Sequence, residues 1–92
     1  PIRQRWESMG WEVFDVDGND VGALVKIFKS LNSDSLKPKL IIAHTTKGCG
    51  ISFMEKITKW HHGVPNEEQY NEAIAEINQR IQHMNELLYE YR

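Results

Sequence analysis

Lys37-Pro38-Lys39-Leu40-Ile41-Ile42-Ala43-His44-Thr45-Thr46-Lys47-Gly48-Cys49-Gly50 is the stretch that decides the fold. Its centre, Leu40 to Ala43, is apolar at every position. A strand apolar at both parities is one covered on both faces, as strands of parallel sheets are. Pro38 bars a helix from entering this run. Lys39 to Thr45 is therefore predicted as a strand. Thr46 to Gly50 is then a loop at the strand's carboxyl end, the edge where open α/β sheets bind ligands.

Upstream, Trp11 to Val16 sets Trp11, Val13, Phe14 and Val16 against Glu12 and Asp15, which reads as a first strand. Asp17-Gly18-Asn19-Asp20 ends it with turn chemistry, and Asn19 or Asp20 is placed to cap the next helix. That helix is predicted from Val21 to Leu31, with Val21, Leu24, Val25, Phe28 and Leu31 on one face. Asn32 to Ser35 is a polar loop. Strand, helix, strand at this spacing is a βαβ unit with a parallel pair. Residues 1–10 form a short helix carrying Ile2, Trp6 and Met9, stopped at Gly10. Two strands and one crossover helix cannot cover both faces of a central strand, and two strands alone are marginal. The pattern asks for more sheet than it contains.

Downstream, residues 51–65 read as irregular, with one turn around Phe53 to Lys56. Asn66 then caps a long amphipathic helix from Glu67 to Tyr91, with two acids at its positive end. Its apolar positions are Tyr70, Ile74, Ile77, Ile81, Met84, Leu88 and Tyr91, spaced 4, 3, 4, 3, 4, 3. This is an a/d seam. It suits a helix packing on its own domain, or one whose distal half, Gln82 to Arg92, reaches a partner.

Composition bounds the rest. The 92 residues allow one small domain. Hydrophobic residues at 40% and charged residues at 26% are ordinary for a globular chain. The longest apolar run is too short to cross a bilayer. A net charge of −2, with no long Lys/Arg cluster, gives no field for nucleic acid or an acidic membrane. The single cysteine, Cys49, excludes an internal disulfide and a multi-cysteine zinc site. These facts predict a soluble cytoplasmic protein, and a chain short for a complete cofactor enzyme.

Lys47 between Thr46 and Gly48 is suited to an anion, since it supplies charge and the glycines permit close backbone approach. The order is not that of a Walker loop. Read without context, Lys47 is more readily a solvated loop lysine, and Cys49 a small space-filler. His61 and His62 are able to titrate near neutrality or donate to phosphate, but adjacent loop histidines are a poor metal site, and His44 and His83 are remote in sequence. Asp15, Asp17 and Asp20 lack the spacing of a calcium loop and serve turn and cap. No metal ligand is assigned.

Four ordered blocks carry a more specific resemblance: Arg5-Trp6-Glu7-Ser8-Met9-Gly10-Trp11-Glu12-Val13, Asp17-Gly18-Asn19-Asp20, Lys37 through Glu55, and Trp60-His61. Together, over residues 1 to about 79, they resemble a transketolase. The likeness is to the last third of that family's thiamine diphosphate-binding (PP) domain. It implies an α/β fold of which this chain, residues 1–92, is the βαβ portion, with 80–92 a helical extension. It implies transfer of a two-carbon ketol unit from a ketose phosphate to an aldose phosphate. Thiamine diphosphate would be the electron sink and Mg2+ would hold its diphosphate. It also implies an active site shared between PP and Pyr domains in an oligomer.

Residue by residue, the resemblance carries over Lys47 and Gly48 as cofactor-binding, and His61 as catalytic and cofactor-binding, donating to phosphate or a developing oxyanion. The family often has His where Asn19 stands, and Lys, Arg or Tyr at Cys49. Its Gly-Asp-Gly motif and following Asn, which hold magnesium, have no counterpart here, nor does the Pyr-domain Glu that activates the aminopyrimidine. The chain is thus expected to be inactive alone and to need the remainder of the enzyme or a complementary subunit. Two other readings stand beside this one: a non-catalytic interaction module working through the helical seam, and a piece of a related thiamine enzyme such as a pyruvate dehydrogenase or deoxyxylulose phosphate synthase. Trp60-His61 followed by Gly63 and Pro65 leans toward transketolase.

Overall fold

A parallel pair of strands forms where the apolar run predicted one. The computed structural model describes residues 1–90. The order is α1 (Ile2–Ser8), β1 (Glu12–Asp17), α2 (Val21–Ser30), β2 (Lys39–His44), a 3₁₀ turn (Thr58–His61) and α3 (Glu67–Glu90). β1 and β2 run parallel, with Glu12 opposite Lys39 and Asp17 opposite His44, and α2 is the crossover between them. This is the α/β arrangement expected, closing on a long helix. The chain divides into two compact units, Pro1–Thr45 and a second that begins at Thr46.

In the first unit, α1 and α2 both pack on β1. Val13 and Val16 are buried. Being three apart they point to opposite faces of the strand, so β1 is covered on both sides. Trp6 meets Trp11 edge-on at 4.9 Å, tying α1 to the start of β1. Gly10, at φ +90°, makes the reversal after α1 that other residues resist. Asp20 is the cap of α2, its carboxylate accepting from the Ala23 N–H at 3.0 Å, while Asp17 accepts from Asn19 N–H at 2.9 Å. Gly18 lies against β2: a Cβ there would stand 2.7 Å from Thr45 Cγ2.

The predicted face of α2 is only partly right. Leu24 and Leu31 are half-buried, together with Ala23 and Ile27, but Val21 is 74% and Phe28 61% exposed, and Val25 is also exposed. The cause is width. Two strands about 4.8 Å apart make a sheet no broader than one helix, so part of the apolar stripe has nothing beneath it. For the same reason Leu40 to Ile42 are half-buried rather than enclosed, and Ala43 is exposed.

In the second unit, Asn66 caps α3 with a reciprocal pair. Its Oδ1 accepts from Gln69 N–H at 2.8 Å, and Gln69 Oε1 accepts from Asn66 N–H at 2.9 Å. The covered side of α3 is Gln69, Ala73, Glu76 and Ile77 rather than the whole predicted seam: Tyr70, Ile74, Ile81, Met84 and Leu88 are exposed. Tyr91, the last seam position, and Arg92, the end of the predicted partner-facing half, lie outside the described residues.

Candidate functional site

The loop after β2 is built from local hydrogen bonds. Cys49 N–H donates to Thr46 O at 3.1 Å, Ile51 N–H to Gly48 O at 3.3 Å, and Met54 N–H to Ile51 O at 2.9 Å. Lys56 N–H returns to Lys47 O at 2.8 Å and closes the neck. Such a tight path needs left-handed backbone at three places: Gly48 (φ +72°), Gly50 (φ +104°) and Lys56 (φ +61°). A Cβ at Gly48 would stand 2.4 Å from Met54 O. The glycine at 48 is therefore demanded by the chain's own backbone, before any ligand is considered.

Residues 57–62, expected to be irregular, contain the 3₁₀ turn Thr58–His61. Trp60 anchors it. Its ring meets Phe53 edge-on at 5.8 Å, and Lys59 Nζ lies 5.0 Å from the ring centre. Trp60 Nε1 is buried without an acceptor among the described residues. The anchored turn presents His61, whose ring meets that of His62 edge-on at 4.5 Å.

The two ends of this segment converge. Lys47 Nζ lies 3.2 Å from His61 Nδ1. A lysine ammonium has donors only, so Nδ1 is the acceptor and the neutral ring carries its proton on Nε2. Both side chains are exposed. The pair thus offers the remaining ammonium N–H groups and one imidazole N–H to solvent. A cation and neutral donors together suit an oxyanion such as a phosphate or diphosphate, and the residues fit the anionic end of thiamine diphosphate on that ground. They do not fit a divalent cation, which both would repel or leave unligated. Among the described residues no three His, Cys, Asp or Glu side chains gather where they could hold a metal ion. Cys49 is a free, exposed thiol.

Two contacts escaped the sequence reading. Ser52 donates through its N–H at 2.9 Å and through its hydroxyl to the two carboxylate oxygens of Glu76 on α3. In the first unit, Asp15 receives His44 Nε2 at 2.7 Å on one oxygen and the Arg3 guanidinium on the other, and Arg3 also bonds Glu7 at 3.0 Å and Val13 O at 3.0 Å. Partners 24 and 29 residues apart leave no periodic signal. His44, which the sequence left too distant to pair with His61 and His62, is engaged by Asp15.

Comparison with known proteins gives the family. Residues 1–86 match the family described as transketolase, thiamine diphosphate binding domain. A subunit of apulose-4-phosphate transketolase from Phocaeicola vulgatus is 47% identical over 81 residues, 88% of this chain and 29% of that protein. The 6-deoxy-6-sulfo-D-fructose transketolase subunit SqwG of a Clostridium species is 31% identical over 84% of this chain and 28% of its own length. Transketolase-like protein 2 of Bos taurus is 38% identical over 94% of the chain and 14% of its own length. The chain therefore spans less than a third of each of these relatives. It belongs to the transketolase family, within the region of that family's thiamine diphosphate-binding domain.

Proposed function

We propose that this chain supplies the Lys47–Gly48 loop and His61 to the diphosphate end of thiamine diphosphate in a transketolase. The observation that carries the reading is the 3.2 Å approach of Lys47 Nζ to His61 Nδ1. It joins a fixed cation and an imidazole donor in the segment that follows a strand's carboxyl end, where α/β sheets receive phosphates. When bound, the cofactor supplies the electron sink for moving a two-carbon ketol unit between a ketose phosphate and an aldose phosphate. Lys47 holds negative charge on the diphosphate. His61, its Nδ1 occupied by Lys47, offers its Nε2–H as a hydrogen bond to phosphate or to a developing oxyanion and keeps that proton throughout. Gly48 keeps the loop tight enough for Lys47 to reach.

Residues 1–92 form part of one cofactor-binding domain in this reading, with 80–92 a helical extension. Mg2+ would be held by residues outside these 92, since the Gly-Asp-Gly motif and following Asn that hold it in the family have no counterpart here. The remainder of the site comes from the rest of the enzyme or a complementary subunit, in a homo- or hetero-oligomer, and the 92 residues alone are inactive. Two relatives are named as transketolase subunits, which supports a separate partner chain. Among the described residues no helix is long and apolar enough to cross a membrane. The free thiol of Cys49 is at home in the reducing cytoplasm.

The test is complementation. The chain is combined with a protein carrying the missing Gly-Asp-Gly and Pyr portions, and ketol transfer is assayed with apulose 4-phosphate first, given the 47% relative, then with other ketose phosphates. Activity that requires thiamine diphosphate and falls with Lys47→Ala supports the reading. A complemented enzyme in which both Lys47→Ala and His61→Ala keep full activity removes it.

A further inference from the structure

We infer that Glu76 of α3 is a positioning residue that keeps the Lys47–His61 pair in contact by fastening the Gly48–Met54 loop through Ser52. The inference rests on the reading above for what the pair does, but not for whether the pair is held.

The loop needs an anchor. It contains two glycines at positive φ, and such segments gain the most freedom when released. Its internal hydrogen bonds, at up to 3.3 Å, fix shape but not its place against α3. Glu76 supplies that place. One carboxylate oxygen takes the Ser52 N–H at 2.9 Å and the other takes the Ser52 hydroxyl, so position and orientation are both set. One helical turn on, Arg80 lies beside Gly50, where a Cβ would come within 2.9 Å of its Nη1. Gly50 N–H in turn donates to Glu55 at 3.2 Å within the loop.

The restraint reaches Lys47 by a short route. Ser52 is inside the loop, and Lys56 N–H on Lys47 O closes the loop at 2.8 Å. Movement of the Ser52 segment therefore displaces the backbone that carries Lys47, and through Phe53, the next residue and the seat of the Trp60 ring, it also releases the turn that carries His61. The pair loses its contact when this shared support gives way. The Glu76 carboxyl is held below the usual carboxylate range, chiefly by the two Ser52 hydrogen bonds and secondarily by the Arg80 charge. It is thus an ionised acceptor at neutral pH, the stronger kind. Glu76 contacts neither Lys47 nor His61, and acts only through the loop.

The test uses the chain assembled with the rest of its enzyme, with histidine-selective 15N labelling. Two readouts are taken: the ring-nitrogen resonances of His61, and the dissociation constant for thiamine diphosphate in the presence of Mg2+. Glu76→Ala should move the His61 Nδ1 resonance to where Lys47→Ala puts it, and weaken thiamine diphosphate about tenfold, the scale of a lost charge-assisted contact. Glu76→Gln should restore both, because an amide still accepts from the Ser52 N–H and can donate to its hydroxyl. In a Lys47→Ala background, Glu76→Ala should weaken binding no further, whereas a general loss of stability would add in full. Should Glu76→Ala assemble poorly, Ser52→Ala removes only the hydroxyl contact and should give part of the shift. An unchanged His61 spectrum in Glu76→Ala or Ser52→Ala, or full additivity in the double variant, overturns the inference. If Lys47→Ala leaves cofactor affinity unchanged while Glu76→Ala still shifts His61, the positioning stands and the diphosphate role of Lys47 falls.

Discussion

Lys47 and His61 are 14 residues apart, and what joins them is a closed loop followed by a Trp-anchored turn. Each residue type was legible in the sequence: a lysine before glycine after a buried strand, a histidine after tryptophan. Their contact was not, because it depends on a left-handed Lys56 and on Trp60 packing against Phe53, neither of which leaves a periodic trace. His61→Ala in the complemented enzyme should cut turnover roughly 10²- to 10³-fold, the usual worth of one placed hydrogen bond to a developing oxyanion, with a smaller change in cofactor affinity. A fall in affinity alone, with turnover intact, would reduce His61 to a binding group. Gly48 answers a different question. The left-handed backbone costs a residue with a Cβ about 1–2 kcal/mol, and that atom would also meet Met54 O. Gly48→Ala should therefore lower the denaturant midpoint even without cofactor. An unaffected midpoint, with only ligand binding lost, would mean that the loop gives way easily and that glycine serves the ligand instead.

At the scale of elements, the strands and helices came from period and punctuation, and the joints between them did not. Leu40 to Ala43 announced β2, and Asn19 or Asp20 announced the start of α2, the structure choosing Asp20. The 3₁₀ turn at Thr58–His61 passed unread, since four residues carry no period. So did the reciprocal cap in which Gln69 answers Asn66. Asn66→Ala breaks that cap and should cost about 1 kcal/mol, measured as a shift in the unfolding midpoint; Gln69→Ala should cost part of the same amount and add little to it, because the two act as one device. The joint between α1, β1 and β2 is the Arg3–Asp15–His44 chain. Asp15 is held below the usual carboxylate value of 3.8, first by the His44 hydrogen bond and then by that from Arg3. Arg3 is correspondingly raised by Asp15 and Glu7. A carboxyl depressed in the folded state stabilises above its unfolded pKa, and that contribution is lost as pH falls through the folded value. Asp15→Asn should therefore flatten the acid side of the stability curve below about pH 4, and leave the slope on the alkaline side unaltered. An acid limb identical to wild type would show the chain to be a surface arrangement of no consequence.

For the whole molecule, the decisive quantity is how little is enclosed. Among the described residues the buried hydrophobic ones are Val13 and Val16 in the first unit and Ala73 in the second. The sequence already pointed this way, for an all-apolar strand implies neighbours on both faces and this chain supplies one strand beside it. What it could not show was which part of α2 would go uncovered. Val21, Val25 and Phe28 form that part. In the proposed reading they are the positions where further sheet or helix of the cofactor-binding domain has apolar surface to bury. Surface substitutions usually change stability by no more than about 0.5 kcal/mol, so Phe28→Glu should hardly alter the unfolding of the 92 residues alone. In the presence of the complementary part the same change places a charge where apolar contact is needed, an unfavourable burial unless a partner charge meets it. Assembly should weaken by tenfold or more, at about 1.4 kcal/mol per tenfold, and ketol transfer should fall at limiting concentrations and recover when the partner is in excess. Charge reversal elsewhere on the helix supplies the contrast: Lys26→Glu, on the exposed polar side, should leave assembly unchanged. Were Phe28→Glu to assemble as tightly as wild type, the apolar stripe of α2 would not be the face on which the domain is completed, and completion would have to run from the second unit, where α3 leaves Ile81, Met84 and Leu88 exposed.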